Sequence, residues 1–432
     1  MQTTPLNVLD ELYLSFDRDD EAWSVHLEIR VDGHVDRDRL EVAAHQAAAR
    51  HPMARARLAA SRLTDLRLQW EIADELSELD LEELDCPGAG DLDRARTRLL
   101  NRTPALDRPG PFALMLAHHP EGDSIILNLH HAAGDGLAAL RLMGSIARAY
   151  GIHDDPAPHV DPLEVRDVSA IAGAGSIKER LTRGRAALDY LGRGVSRPTR
   201  LVAQGATDEP GYGFATLAFE PEEVEQIVAL RSGRATVNDV LLGALAHTVS
   251  RWNDHRGETS GAIYLMMPIN LRPPRWRFDV VGNFASYVSV RIGSGDHTTL
   301  DKAIRSAADG SRHIKDGAIA GLIVDLYGAP ALVPTALRSR MQDLIPLTGN
   351  AVVDTAVLSN LGRIESVPDL GDAGRVREVW FSPPGRMPLG ASLGVATLDG
   401  RLFVTLRYRH ALFDVDAAAG FLSQFHRVLT SG

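Results

Sequence analysis

The sequence predicts an α/β protein built of two units, and three observations carry that prediction. Short apolar runs of strand length alternate with stretches of helical period along the whole chain, the pattern of helices packed on sheets. The 432 residues exceed one typical domain and can bury more than one core, with 44% apolar and 24% charged residues as in ordinary globular proteins. A polar, proline-bearing tract from Gly151 to Ala170 reads as a connecting loop, after which strand and helix patterns begin afresh. Units over residues 1–175 and 176–432 follow.

In the first unit, Trp23 to Val31 (WSVHLEIRV) alternates as a strand and stops at Asp32-Gly33. Val35 and Asp36 then precede a helix with Leu40, Ala43, Ala44 and Ala47 on one face, ended by His51-Pro52. Gln69 to Asp85 mixes acidic and apolar residues, as a peripheral strand and loop would, and Gly88 to Leu99 turns from polar to helical. Phe112 to Ala117 and Ser124 to Leu129 flank Pro120, Glu121, Gly122 and Asp123, a hairpin in which His118 and His119 read as solvated strand-end residues without chemistry.

The second unit opens with Ser176 to Arg200, helical and basic through Lys178, Arg180, Arg183, Arg185, Arg193, Arg197 and Arg200. Tyr212 to Phe219 is a strand and Pro221 to Leu230 a helix. Thr236, with Asp239 three residues on, caps a helix running through VLLGALAHTVSRW. Ile263 to Pro268 forms a buried strand leading to Asn270, Leu271 and Arg272, and Val280 to Ile292 alternates. Val352 to Asn360 is a further strand. The chain closes with a hairpin, Leu393 to Leu398 and Leu402 to Tyr408 around Asp399-Gly400, then a helix presenting Phe421, Leu422, Phe425, Val428 and Leu429 together.

The most informative stretch is Ser124 to Tyr150, SIILNLHHAAGDGLAALRLMGSIARAY. His131 falls in phase with Leu129 of the strand, Gly134 and Gly136 bracket Asp135, and Leu137, Leu140, Met143, Ala147 and Tyr150 recur at helical spacing. At such a junction the first helix amides lack internal partners and the dipole favours negative charge. Gly136 has no Cβ to keep a substrate oxygen from its amide. An imidazole beside free amides suits acyl transfer, as a base near neutral pH with donors ready for an oxyanion.

His130, His131, Ala132, Ala133, Gly134, Asp135 and Gly136 spell HHxxxDG, and in this setting the chain resembles the chloramphenicol acetyltransferase-like superfamily. That superfamily includes condensation domains of nonribosomal peptide synthetases, bacterial wax ester synthases with their diacylglycerol acyltransferase relatives, and polyketide-associated acyltransferases. Further resemblances span nearly the whole chain. Arg50, His51, Pro52 and Arg55 match a RHPxLR-like segment with Ala54 in place of its leucine; TVNDVLLGAL is similar to a segment of wax ester synthase relatives; and Ser359-Asn360-Leu361-Gly362 resembles an SN-containing loop. Ser286 stands where condensation domains have asparagine, a departure that favours a tailoring acyltransferase over an elongating module.

The resemblance implies an α/β fold of two chloramphenicol acetyltransferase-like lobes in a V-shaped pseudo-dimer, mixed sheets flanked by helices, with a tunnel between them and the motif in the first lobe. It implies that His131 is the general base, that His130 is structural, and that Asp135 pairs with an arginine, for which Arg272 is the candidate. Gly136 would allow close backbone approach at the catalytic turn. Asn283, Ser286, Ser359 and Asn360 fall on segments near the implied tunnel, where they would orient an acceptor or donate to an oxyanion; strand-end hydrogen bonding competes for each. The implied activity is that of a stand-alone acyltransferase moving an acyl group from a thioester to an alcohol or amine, in specialised-metabolite or lipid biosynthesis. No cofactor would be bound; the donor itself carries phosphopantetheine, on coenzyme A or on an acyl or peptidyl carrier protein. The basic run after Ser176 is then either a solvated helix face or a landing surface for that anionic donor.

Composition narrows the rest. A net charge of −11 argues against nucleic-acid binding. The single Cys86 excludes an internal disulfide, and no Cys/His spacing suggests zinc. The N-terminal residues lack the basic and apolar regions of a signal peptide, and Gly317 to Pro334 is interrupted by Asp325, Gly328 and two prolines, so no transmembrane segment and a cytoplasmic location are expected. A metal at His130, His131 and Asp135 is disfavoured because adjacent strand histidines face opposite ways. A non-catalytic recruitment domain is the rival of another class, and hydrolysis or cyclisation with the same machinery differs only in the nucleophile admitted.

Overall fold

The first part of the chain forms strands β1 (Gln2–Pro5), β2 (Ser24–Val31), β3 (Ala56–Leu58), β4 (Gln69–Ile72), β5 (Asp80–Asp85), β6 (Phe112–His118) and β7 (Ser124–His130), with apolar runs in β6 and β7 and alternate apolar residues in β2. The second part supplies β8 (Tyr212–Phe219), β9 (Ile263–Asn270), β10 (Ala285–Ile292), β11 (Ala356–Ile364), β12 (Val376–Ser382), β13 (Ala391–Leu398) and β14 (Arg401–Arg409). The helices used below are α1 (Val8–Phe16), α2 (Arg37–Arg50), α3 (Ala89–Leu100), α4 (Gly136–Gly151), α5 (Val168–Ala172), α6 (Pro221–Ala229), α7 (Val237–Asp254), α8 (Leu300–Asp316), α9 (Leu322–Gly328) and α10 (Val415–Thr430). This computed structural model describes residues 2–18, 21–176, 178–179, 181–185, 197–316, 321–328, 353–365 and 368–431.

The strands build two large mixed sheets, in the orders β12-β2-β7-β6-β5 and β10-β9-β11-β13-β14-β8, and a small antiparallel sheet, β1-β4-β3. In the first sheet β7 is central, antiparallel to β2 and β6, and buried along its whole length. Helices α2 and α4 cover that sheet, bringing Leu40, Ala44, Ala47, Leu142, Ile146 and Tyr150 into one core with Leu27, Leu114 and Leu127. The second sheet has its own core, where Leu241 and Leu245 of α7 meet Phe421 and Phe425 of α10. Side-chain caps start the long helices where the residue types require: Asp36 accepts from Arg39 N at 2.8 Å, and Thr236 and Asp239 bond each other's amides.

The two parts of the chain are not separate bodies. Strand β12, from beyond residue 176, forms the edge of the first sheet, its Phe381 opposite Leu27 and Trp380 opposite Glu28 of β2. The guanidinium of Arg407, on β14 of the second sheet, is buried and donates to the carbonyls of Ser24 and Ala22 at 3.0 and 2.7 Å. Asn101, just past α3, exchanges two hydrogen bonds with the backbone of Tyr212 on β8, at 2.9 and 2.7 Å.

Several expectations need correction. Gln69 to Asp85 holds two strands in different sheets, β4 and β5, because Trp70 and Ile72 point into the core while β5 lies at an edge beside β6. Ser359 and Asn360 lie within β11 rather than in a loop; the strand bulges between Asn360 and Arg363, where Gly362 takes φ +82°. The basic run from Ser176 to Arg200 lies partly outside the described residues, Arg180 and Arg193 among them. Of the rest, Arg183 bonds Ala172 O and Asp325 Oδ2 and Arg200 donates to the carbonyls of Val353 and Asp354 from irregular chain, whereas Lys178, Arg185 and Arg197 are exposed. His118 is mostly buried between Glu83 and Asp123, and His119 bonds Arg30, so neither is merely solvated.

Candidate active site

The site is assembled at the junction of β7 and α4. Ladder bonds with β2 and β6 carry β7 as far as His130; the chain then folds back, Ala133 N donating to His130 O at 2.9 Å. Gly134 is required by contact alone: a Cβ there would stand 2.7 Å from Leu129 Cδ2 and 2.9 Å from the Ala138 methyl. Asp135 starts α4 as its cap, Oδ1 accepting from Ala138 N at 3.0 Å.

The other oxygen of Asp135 ties the two parts of the chain together. Oδ2 accepts from Arg272 Nη1 at 2.7 Å and from Phe284 N at 2.8 Å. Arg272, buried, also donates to Gly282 O at 2.8 Å and lies over the Phe284 ring, 4.5 Å from its centroid. Burial alone would raise the Asp135 carboxyl, but Arg272 and the two amides outweigh it and hold the group below its ordinary value. Asp135 is therefore an ionised clamp that accepts three hydrogen bonds.

The two histidines part company as strand geometry demands. His130 is buried; its Nδ1 accepts from Ala132 N at 3.1 Å, which leaves Nε2 as the protonated nitrogen, 3.6 Å from Asp17 Oδ2. Asp17 in turn accepts from Trp23 N and Thr103 Oγ1 at 2.9 and 2.7 Å. His131 is pinned through its backbone, N donating to Trp23 O at 3.1 Å and O accepting from Asn283 Nδ2 at 2.9 Å. Its ring stacks on Tyr13 of α1, with centroids 4.1 Å apart and 17° between planes. Only 8% of the residue is exposed, and Nδ1 is buried without a hydrogen-bond partner. Burial drives the imidazole down to about 4, against opposing pulls from the carbonyls of His131 and Gly134 and from Asp135.

Beside this junction lies a cleft of about 250 Å³. One wall is Asp135, Gly136 and Leu137 at the start of α4; the facing wall is Ser359, Asn360 and Leu361 of β11 with Pro268 and Asn270 of β9. Gly136 is also packed, since a Cβ would stand 2.8 Å from Leu361 Cδ2 and 2.9 Å from the Phe381 ring. Asn360 Oδ1 accepts from Gly362 N at 2.8 Å, leaving its Nδ2 as a donor. Asn283 and Ser286 are buried and do not line the cleft; the amide nitrogen of Asn283 is engaged with His131 O. His131 does not line it either.

Sequence reasoning missed Tyr13, which both covers His131 and donates from its hydroxyl to Ala285 O at 2.8 Å. The available signal was local: Asn7 and Asp10 make a capping box at the start of α1, and Leu9, Leu12, Tyr13 and Phe16 share its buried face. Asp10 is held by Trp70 Nε1 at 3.0 Å and by Arg166, fixing the helix in place. No helix among the described residues is long and apolar enough to cross a membrane.

Comparison with known proteins gives the chain relatives. No family model matches it. Two Mycobacterium tuberculosis proteins, Uncharacterized protein Rv2305 (strain ATCC 25618 / H37Rv) and Uncharacterized protein MT2362 (strain CDC 1551 / Oshkosh), are each 37% identical over 398 residues, covering 91% of this chain and of theirs. Among solved structures, the first condensation domain of the CDA synthetase superposes with a TM-score of 0.72 at 16% identity, over 99% of this chain and 95% of that one. The condensation domain from Monacolin K polyketide synthase MokA gives 0.67 at 15% identity over 100% and 97%. The epimerization domain of tyrocidine synthetase B gives 0.63 at 15% over 99% and 96%. Domains named for condensation and for epimerization share this fold, so the fold does not select the reaction. The chain belongs to the family of the mycobacterial protein Rv2305 and has the fold of condensation domains.

Proposed function

We propose that the protein is a cytoplasmic acyltransferase that moves an acyl group from a phosphopantetheine thioester, on coenzyme A or on an acyl or peptidyl carrier protein, to an alcohol or amine in specialised-metabolite or lipid biosynthesis. The observation that carries this reading is the cleft at the HHxxxDG turn, walled by Asp135, Gly136 and Leu137 on one side and by Ser359, Asn360 and Leu361 on the other. Arg277 and Phe278 at its edge suit the phosphate and the chain of a pantetheine arm.

In this reading His131 acts through Nε2, since Nδ1 is turned into the interior. Nε2 takes the proton from the acceptor O–H or N–H as that atom attacks the thioester carbonyl. The tetrahedral intermediate collapses, the C–S bond breaks, and the imidazolium returns the proton to the departing sulfur. Asn360 Nδ2 and Ser359, which line the cleft, would donate to the oxyanion or to the acceptor. Asp135 is occupied by Arg272 and keeps the turn rather than the proton.

One observation favours a second reading, a non-catalytic recruitment domain: the Tyr13 ring lies on His131, so the acyltransferase reading requires α1 to give way when substrate enters. Incubating the protein with acyl-CoA and acyl-carrier donors and a panel of alcohols and amines, while following thiol release, separates the two. His131→Ala should cost at least about 100-fold in turnover while the protein remains folded. No acceptor-dependent thiol release from the wild type would establish recruitment instead, and turnover that survives the substitution would overturn His131 as the base.

A further inference from the structure

The far end of β7 gathers side chains for which acyl transfer has no use. His34, on the loop between β2 and α2, and His118, at the end of β6, both turn Nδ1 towards one oxygen, Asp123 Oδ2, at 3.1 and 2.8 Å. The three ligand atoms all lie within 4.8 Å of one another. The two imidazoles stack, centroids 4.5 Å apart and 28° between planes.

The cluster is held from outside. Asp123 is buried, with Oδ2 accepting from Val35 N at 2.8 Å and Oδ1 from His119 N at 3.2 Å. Its neighbour Gly122 takes φ +106° and lies so close to β2 that a Cβ would collide with the Val31 carbonyl, which fixes the turn. The outer nitrogen of His118, Nε2, is 2.8 Å from Glu83 Oε1 on β5, the carboxylate-imidazole pairing that orients a metal-bound histidine. His34 leaves 75% of its side chain exposed, so the group opens to solvent on one side.

The three ligand atoms have a common solution. A carboxylate oxygen offers about two lone-pair sites, and Oδ2 already receives one backbone amide, so two imidazole nitrogens contend for the remainder. A small divalent ion with bonds of about 2.1 Å holds tetrahedral ligands about 3.4 Å apart, near the spacings observed, and satisfies both nitrogens and the oxygen together. Two imidazoles and one carboxylate select zinc and its neighbours over calcium or magnesium.

We propose that His34, His118 and Asp123 form a zinc-class metal site, with Glu83 orienting His118 and water completing the coordination. The site joins the loop after β2 to the β6–β7 turn and, through Glu83, to β5. Seven strand residues at about 3.3 Å each separate its end of β7 from His130, roughly 20 Å, so the ion steadies the sheet and takes no part in the chemistry at His131.

The test is titration of the chelator-treated full chain with Zn²⁺ by calorimetry, with Co²⁺ as a visible-absorption probe of coordination. One equivalent of Zn²⁺ should bind and raise the melting temperature, and Ca²⁺ and Mg²⁺ should not. His34→Ala, at an exposed loop position, and His118→Ala should each weaken binding at least about tenfold and lose the Co²⁺ absorption, with His34→Ala melting as the wild type does without metal. Folded wild-type protein that takes up no equivalent of Zn²⁺, or either variant binding it as tightly as the wild type, would overturn the site.

Discussion

Burial of the His131 ring sets how it would work as the base of the proposed transfer. The imidazole is driven from 6.5 to about 4, a bias towards the neutral form on the order of 3 kcal/mol at about 1.4 kcal/mol per unit. Neutral imidazole is the form that accepts a proton, so the ring is ready at pH 7 without a partner to hold it deprotonated, at the expense of basicity. The acid limb of kcat/KM should accordingly fall well below 6.5, towards 4, in a pH profile of thiol release. A limb at the ordinary value would mean that the free enzyme solvates this ring. The position of His131 was legible in the sequence, through its phase with Leu129 and the Gly-Asp-Gly turn that follows. Its covering was not, because Tyr13 arrives from another helix 118 positions earlier, a distance no local period can span.

Between elements, the turn that starts α4 and the segment that leads into β10 are held by one carboxylate. Asp135 caps a helix, neutralises Arg272 and receives the amide of Phe284. Loss of a cap alone costs about 1 kcal/mol. Removing the partner of a buried charge costs about 3–5 kcal/mol, so the ion pair dominates. Asp135→Ala should therefore lower the denaturation midpoint together with turnover, measured on the same preparation; an inactive variant of unchanged stability would point instead to a role in the reaction. Helices α4, α7 and α10 were legible because each buries a clear stripe behind a readable cap. Strand β12 was not: VREVWFS carries an arginine and a glutamate, and only its place beside β2 makes it a strand. Pairing of Asp135 with Arg272 came from resemblance, whereas the burial of Asn283 and Ser286 follows from how the β10 segment packs and has no mark in the sequence.

Across the whole molecule, buried neutral histidines make the fold sensitive to acid. Burial pushes His26 well down, with Arg407 adding to it, and pushes His51 down to about 3. Such groups are neutral in both states above 6.5; as pH falls below that, the unfolded chain takes up protons that the fold refuses, and stability drops until the folded value is reached. Asp354, raised to about 7 by burial, works in the opposite sense and favours the fold below that pH, so a single variant isolates one group better than the total does. His51 bonds Ser145 Oγ through Nε2 at 2.8 Å, and the amide of glutamine can replace that nitrogen. The stability difference between wild type and His51→Gln should shrink as pH falls from 6.5 towards 4, by up to about 1.4 kcal/mol per unit, in denaturant titrations at stepped pH. A pH-independent difference would show that His51 is protonated within the fold.

The edge strand β12 has a consequence for how the chain is made. Its partner β2 leaves the ribosome hundreds of residues earlier, so at about 10 residues per second the nascent sheet keeps a bare flank for on the order of half a minute. An unpaired flank of that kind invites pairing with other chains. Newly made protein is thus most in need of a chaperone between the emergence of β7 and that of Val376, while the HHxxxDG turn already exists and its sheet is one strand short.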